Sequence, residues 1–167
     1  LASIDALAAL GPAAIAHVEP LAMDAPVPDP LRIFAASLIA GCMAGRDALG
    51  VAERVLHRFG AGDPVVAQAF GAAMKLAPHP LLPRVLRGLA AAETTRVLAT
   101  DLLGARGWLS AVELPGLAAD ADPRVRAIAL RAMGAMRHGE LEGLALEAAG
   151  DDDVAVQAAL LEGLLLA

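Results

Sequence analysis

The side chains best suited to chemistry in this sequence are its histidines, at His17, His57, His79 and His138. A metal site needs several ligands that converge, as the two imidazoles do in His-x-x-x-His or His-Glu-x-x-His on one helix face. Neither spacing occurs here. We therefore predict no metal site, no cofactor site and no catalytic residue. His79 and His138 fall where helices break, and we expect both to be solvated turn residues.

Carboxylates form a second group near the carboxyl-terminal end, and paired acids can serve as general acid and base. The group consists of Glu140, Glu142, Glu147, Asp151, Asp152 and Asp153. The helical pattern puts these residues on an exposed helix and in the turn that follows it. We therefore expect them to be solvated and to have no catalytic role.

The composition narrows the functional classes further. A formal net charge of −6 argues against a general nucleic-acid binder, which usually carries a basic surface. The longest uncharged runs, such as residues 33–45, fall short of the ~20 residues that span a bilayer, so we expect no membrane contact. Cys42 lies in an apolar helical run and is expected to be a buried, unreactive thiol. Nothing requires an oxidising compartment, so we expect a cytoplasmic location.

These side chains must be positioned by helices, because the chain is 57% apolar but only 2% aromatic, and is filled largely with alanine and leucine. Acidic residues suited to capping a helix recur at Asp29, Asp63, Glu93, Asp122 and Asp151. The steps between them are 34, 30, 29 and 29 residues. A helix pair that recurs at such a period is typical of an α-solenoid.

We predict an all-α fold in which about five helix pairs stack as a right-handed α-α superhelix. A single domain covers residues 1–167, and its repeats are approximately residues 12–45, 46–77, 78–106, 107–137 and 138–167. His79 and His138 stand at matching places in two of these repeats. The clearest second helix begins at Asp122-Pro123 and carries one apolar stripe, formed by Val125, Ile128, Ala129, Ala132, Met133 and Met136.

The segment from Leu117 to Gly134 resembles the short HEAT-like repeat of the phycobilisome-lyase type. In that family an Asp before the second helix bonds an Arg six positions later. The resemblance therefore implies a structural ladder pair between Asp120 and Arg126. The third repeat departs from this pattern, because Ala90 stands where the Asp that precedes Arg96 should be.

The whole chain also resembles a bacterial group of HEAT-like proteins, through Ala16-His-Val and Arg32-Ile-Phe-Ala-Ala ahead of the repeats. Second helices line the inner, concave face of HEAT stacks. The resemblance therefore puts Arg96, Arg124 and Arg131 in one basic strip on that face. Such a strip either docks an acidic peptide or a phosphate, or is a solvated helix face with no ligand.

The function expected from this reading is a non-catalytic interaction scaffold that binds a protein or peptide on its concave face. The alternative is an enzyme of the HEAT-like DNA glycosylase or bilin lyase kind. A glycosylase needs aromatic and acidic residues around an extruded base. The lone tryptophan, Trp108, is expected to be a core plug between repeats, and aromatics are too few for stacking on bases. Nucleic acid is therefore an unlikely partner.

The last helix is apolar on every side. Val154, Ala158, Leu161 and Leu165 form one stripe, and Leu160 and Leu164 form a second. A terminal solenoid helix normally presents a polar outer face, so an apolar face predicts burial against something else. We expect either a missing repeat or a dimer contact at this helix.

Overall fold

The computed structural model describes Ala6 and residues 9–167, so residues 1–5, 7 and 8 of the predicted domain lie outside it. Ten helices can be bounded in the described part, where no strand occurs. They are α1 (Pro12–Met23), α2 (Pro30–Cys42), α3 (Arg46–Phe59), α4 (Pro64–Leu76), α5 (Leu82–Ala90), α6 (Glu93–Ala105), α7 (Leu114–Ala118), α8 (Pro123–Ala135), α9 (Leu141–Ala149) and α10 (Val154–Leu166). The all-α prediction is confirmed for these residues. Within the same ranges, every helix is too short or too polar to cross a membrane.

Aspartate caps begin several of these helices, because a carboxylate at this position accepts hydrogen bonds from backbone N–H groups that have no partner in the first turn. The caps predicted at Asp29, Asp63 and Asp122 are confirmed. The shortest bond from each carboxylate to a backbone N–H measures 3.0, 2.8 and 2.9 Å, respectively. Proline follows each of the three caps and sets the first turn of α2, α4 and α8.

Two of the predicted helix caps are wrong. Glu93 is the first residue of α6 and does not precede it. Helix α10 is capped by Asp153, which accepts a backbone N–H at 2.7 Å, whereas the prediction placed the cap at Asp151. The helix therefore begins two residues later than expected, which leaves Val154 75% exposed and buries Val156.

The contacts divide the described chain between Leu98 and Ala99 into two compact units. In the first unit, α1 packs against α2 and α3, α2 packs against α3 and α4, and α3 packs against α4. The largest side chains of its core include Ile33, Leu49, Leu56, Phe70 and Met74, each at most 1% exposed. The second helices of the first two predicted repeats, α2 and α4, are therefore in direct contact.

The second unit has the same kind of packing. Helix α8 contacts α7, α9 and α10, and α9 contacts α10. Its core includes Leu114, Leu130, Met133, Leu141 and Leu160. Here too, the second helices of successive predicted repeats, α8 and α10, pack directly on each other.

Small residues allow these second helices to approach closely. A Cβ atom added to Gly134 of α8 would overlap the backbone of Gly163 of α10. A Cβ on Gly163 would in turn lie 2.7 Å from the carbonyl oxygen of Leu130. In the first unit, a Cβ on Gly41 would overlap the side chain of Ala77 just after α4. Glycine is required at these crossings because any side chain would push the two backbones apart.

Helix α10 is only partly covered. Its buried residues are Val156, Ala159, Leu160 and Gly163. Leu161 and Leu165, which belong to the first predicted stripe, are 63% and 88% exposed. The packing therefore uses one side of α10, and an apolar side faces outward.

Candidate binding site

The predicted arginine strip begins on α8 with two exposed arginines that each form an ion pair. The Arg124 guanidinium donates to both carboxylate oxygens of Asp122, at 2.7 and 3.1 Å. These bonds lower the pKa of the Asp122 carboxyl and raise the pKa of Arg124. Arg131 reaches across to Glu162 of α10. The third member, Arg96, is half-buried on α6 in the first unit.

Arg131 also lines a pocket of about 300 Å³ on the second helices α6, α8 and α10. We call it the second-helix pocket, and its walls include Asp101, Ile128, Ala132, Ala135 and Leu166. Most of the surface is apolar and made of small side chains, with one cation and one carboxylate. This volume lies at the lower end of the range for ligand pockets, about 300–1,000 Å³. Arg124 does not line this pocket.

Arg126, the arginine of the predicted ladder pair, bonds to residues in two of the predicted repeats. Its Nη1 donates to the carbonyl oxygen of Asp120 at 2.9 Å. Its Nε and Nη2 both donate to the carboxylate of Asp151, each at 2.8 Å. The ion-pair partner of Arg126 in the next repeat is thus Asp151, which the sequence analysis assigned to a solvated acidic turn. Arg126 and Asp151 are 21% and 12% exposed, far less than the other arginine pairs of α8.

Electrostatics agree with a structural role for this pair. The bonds from Arg126, and then the N–H of Asp153, lower the pKa of the Asp151 carboxyl. The same ion pair raises the pKa of Arg126. Paired carboxylates with a lowered pKa are ionised at neutral pH and hold a cation without proton exchange.

The turn at Asp120–Asp122 and the turn at Asp151–Asp153 have the same hydrogen bonds. The Asp120 carboxylate accepts the N–H of Asp122 at 2.9 Å, and the Asp151 carboxylate accepts that of Asp153 at the same distance. Gln157 donates to the carbonyl oxygen of Asp151 at 2.7 Å, as Arg126 does to that of Asp120. In both turns an Asp stands two residues before the capping Asp. This spacing was the sequence signal that Asp151 is equivalent to Asp120.

The two turn histidines are hydrogen-bonded alike. His79 accepts the N–H of Leu81 at Nδ1, at 3.1 Å, so Nε2 carries the proton and donates to the carbonyl oxygen of Gly45 at 3.0 Å. His138 uses Nδ1 and Nε2 in the same way, at 3.3 and 3.1 Å. The matching places are confirmed. The prediction of solvation is wrong for His79, which is 3% exposed and joins its turn to Gly45, the residue just before α3.

A further cluster, which the sequence analysis missed, lies between the first helices α3 and α5 of the first unit. Arg46, Glu53 and His57 follow each other along one face of α3, at spacings of seven and four residues. They line an open groove of about 400 Å³ together with Arg84 of α5. We call it the first-helix groove. The sequence analysis did not group these residues, because the groove is assembled from two predicted repeats.

His17 and His57 are both exposed. No three His, Cys, Asp or Glu side chains in the described ranges converge as metal ligands would. No protein-family model, curated protein or solved structure matches this chain.

Proposed function

We propose that the chain is a non-catalytic interaction scaffold of HEAT-like repeats, stacked as a right-handed α-α superhelix, that binds a protein or peptide on its concave face. The second-helix pocket is the observation that carries this proposal. It places Arg131 beside an apolar surface on the helices that a HEAT-like stack turns inward. The direct packing of α2 on α4 and of α8 on α10 supports the stacking.

Arg131 is suited to exchange partners in this pocket. Its ion pair with Glu162 leaves both side chains about half exposed, at 44% and 55%. Exposed pairs of this kind contribute only about 0–1 kcal/mol, so a ligand carboxylate replaces Glu162 at small cost. An apolar ligand side chain then packs against Ile128 and Leu166. Of the three arginines in the predicted strip, Arg131 is the one to which we assign the ligand contact.

The proposed location is the cytoplasm, where a chain with a single cysteine needs no disulfide. Any partner recognised in this way carries an acidic group next to apolar side chains. The net charge of −6 does not oppose this binding, because salt screens distant charges and the ligand interacts mainly with Arg131 beside it.

The proposal is tested by selecting random peptides displayed on phage against the full chain. Affinities of the enriched peptides are then measured for two pocket variants, Arg131→Glu and Ala135→Gln. The first reverses the charge, and the second fills the pocket from an exposed position. Each should weaken binding by about tenfold or more, which corresponds to about 1.4 kcal/mol.

Two further variants complete the design. Arg58→Glu makes the same charge change on α3, outside the pocket, and should leave affinity within about twofold of wild type. Glu162→Gln removes the internal competitor of Arg131 and should tighten binding. The scaffold proposal fails if no peptide is enriched, or if enriched peptides bind the two pocket variants as well as they bind wild type.

A further inference from the structure

The arginines of the first-helix groove differ from two other arginines of the first unit, which are paired with carboxylates. Arg32 is paired with Asp29, and Arg54 forms two bonds to Glu19, at 2.6 and 3.0 Å. Neither the Arg46 side chain nor the Arg84 side chain has a hydrogen bond or ion pair within the ranges that the structure describes. Two guanidinium groups with no direct ion pair among the described residues therefore line one cavity in a protein whose formal net charge is −6.

The rest of the groove is apolar on its α5 side. Leu81, Val85 and Leu89 line it at successive spacings of four residues, which puts them on one helix face. Leu89 is 8% exposed and Leu81 is 38% exposed, so this wall is partly open to a ligand. The groove thus offers cations next to a surface that favours branched hydrocarbon side chains.

A carboxylate is the group that these arginines fit best. Guanidinium binds it through two parallel N–H bonds, and such charge-assisted bonds are stronger than neutral ones. Glu53 is the one carboxylate among the described groove residues, and it lies seven residues from Arg46 on the same face of α3. It repels excess negative charge, so the groove favours a ligand with few acids over a polyanion.

We propose that the first-helix groove binds an acidic peptide segment, in which an Asp or Glu carboxylate contacts Arg46 and Arg84 and a neighbouring leucine-like side chain packs on Leu81, Val85 and Leu89. This site is separate from the second-helix pocket. It rests on the proposed function only in that its ligand is a peptide. Its volume of about 400 Å³ suits a few side chains and not a folded domain.

The test uses acetyl-Leu-Glu-Glu-Leu-amide as the probe and acetyl-Leu-Gln-Gln-Leu-amide as its uncharged isostere. Each is titrated into the ¹⁵N-labelled full chain while backbone amide shifts are followed. The acidic peptide should shift the amides of Gly88, Leu89 and Ala92, and the isostere should bind at least fivefold more weakly. Raising the salt concentration should weaken binding of the acidic peptide, because exposed charges are screened.

Variants then assign the binding to the groove. Arg46→Gln combined with Arg84→Gln should raise the Kd of the acidic peptide at least fivefold. Arg32→Gln, which removes an exposed arginine of α2, should leave the Kd unchanged within twofold. Glu53→Gln should lower the Kd about twofold, since it removes the repelling carboxylate. Circular dichroism of each variant confirms that the chain remains folded.

Three results would each overturn the groove proposal. They are equal binding of the two peptides, undiminished binding by the Arg46 and Arg84 double variant, and shifts confined to Ile128 and Ala132 of the second-helix pocket. None of these results removes the scaffold function, because the phage selection tests the second-helix pocket independently. Conversely, a failed selection together with groove shifts would reject the scaffold proposal for the second-helix pocket and leave the groove in place.

Discussion

Both the junction between α8 and α10 and the groove between α3 and α5 contain arginines, but only the junction pairs its arginine with a carboxylate of the described residues. At the junction the two backbones approach closely at Gly134 and Gly163, and Arg126 meets a carboxylate that is largely shielded from solvent. At the groove the helices leave about 400 Å³ open, and Arg46 and Arg84 line it without an ion pair among the described residues. Arg126 therefore stabilises the fold, because the packed helices bring it to a carboxylate. Arg46 and Arg84 lack such a partner among the described residues, and we propose that they bind a ligand.

The largest expected loss of stability comes from a charged substitution in the core beside the junction. Met133 is fully buried on α8, whereas Met136, which the sequence placed in the same stripe, follows the helix and is 46% exposed. Met133→Asp puts an unpaired charge into the core and should destabilise the chain by about 4 kcal/mol or more. Met136→Asp should cost less than about 1 kcal/mol. Chemical denaturation of both variants measures the difference, and similar losses would contradict the assigned core.

A smaller effect comes from separating the two backbones. Gly134→Ala should destabilise the chain by about 1–3 kcal/mol, because the added methyl overlaps α10, although alanine is the better helix former. The control is Gly143→Ala on α9, where the new Cβ meets nothing within 4 Å. That variant should gain about 0.5–1 kcal/mol. Equal stability of the two variants would mean that α8 and α10 do not touch at this point.

The brace of Arg126 predicts a pH dependence. The folded-state pKa of Asp151 is lowered, so the pair contributes stability above the unfolded-state pKa of about 4, and this contribution is lost as the pH falls through the lower folded-state value. Arg126→Gln should therefore lower Tm at pH 7 and reduce the fall in Tm on acidification below about pH 4. Arg124→Gln, which removes a largely exposed pair, should lower Tm less. An equal loss from the two variants at pH 7 would reject a bracing role.

The smallest expected effect on stability concerns the arginines of the first-helix groove. Arg46→Gln and Arg84→Gln remove cations that form no ion pair with the described residues, and both residues are exposed. Each should change the free energy of unfolding by less than about 0.5 kcal/mol. Denaturation curves that show a larger loss would make these arginines structural and would weaken their assignment to binding.

Local features of the fold were predictable from the sequence. An Asp followed by proline acts within its own first turn, so Asp29, Asp63 and Asp122 identified helix starts without knowledge of the tertiary structure. The run from Asp151 to Asp153 misled the same reasoning, since any of the three carboxylates can cap a helix. The choice depends on Arg126, which lies in the preceding repeat.

The candidate sites depended on longer-range contacts. Burial of His79 follows from its bond to Gly45, 34 residues earlier, and its own turn gives no sign of it. Arg131 was predicted as a ligand contact because it lies on a second helix of the predicted repeats, and this role stays a prediction. Arg46 and Arg84 were missed, because each lies on the first helix of a different predicted repeat and their common groove appears only when α3 and α5 are placed in space.

The most direct test of the central proposal is hydrogen exchange of the wild-type chain with and without a selected peptide. If the second helices form the partner-binding face, the peptide should slow exchange of the amides around the second-helix pocket, in residues 128–135 of α8. The amides of α3 should then be unaffected by the same peptide. Protection confined to first helices, with no change along α8, would contradict the account.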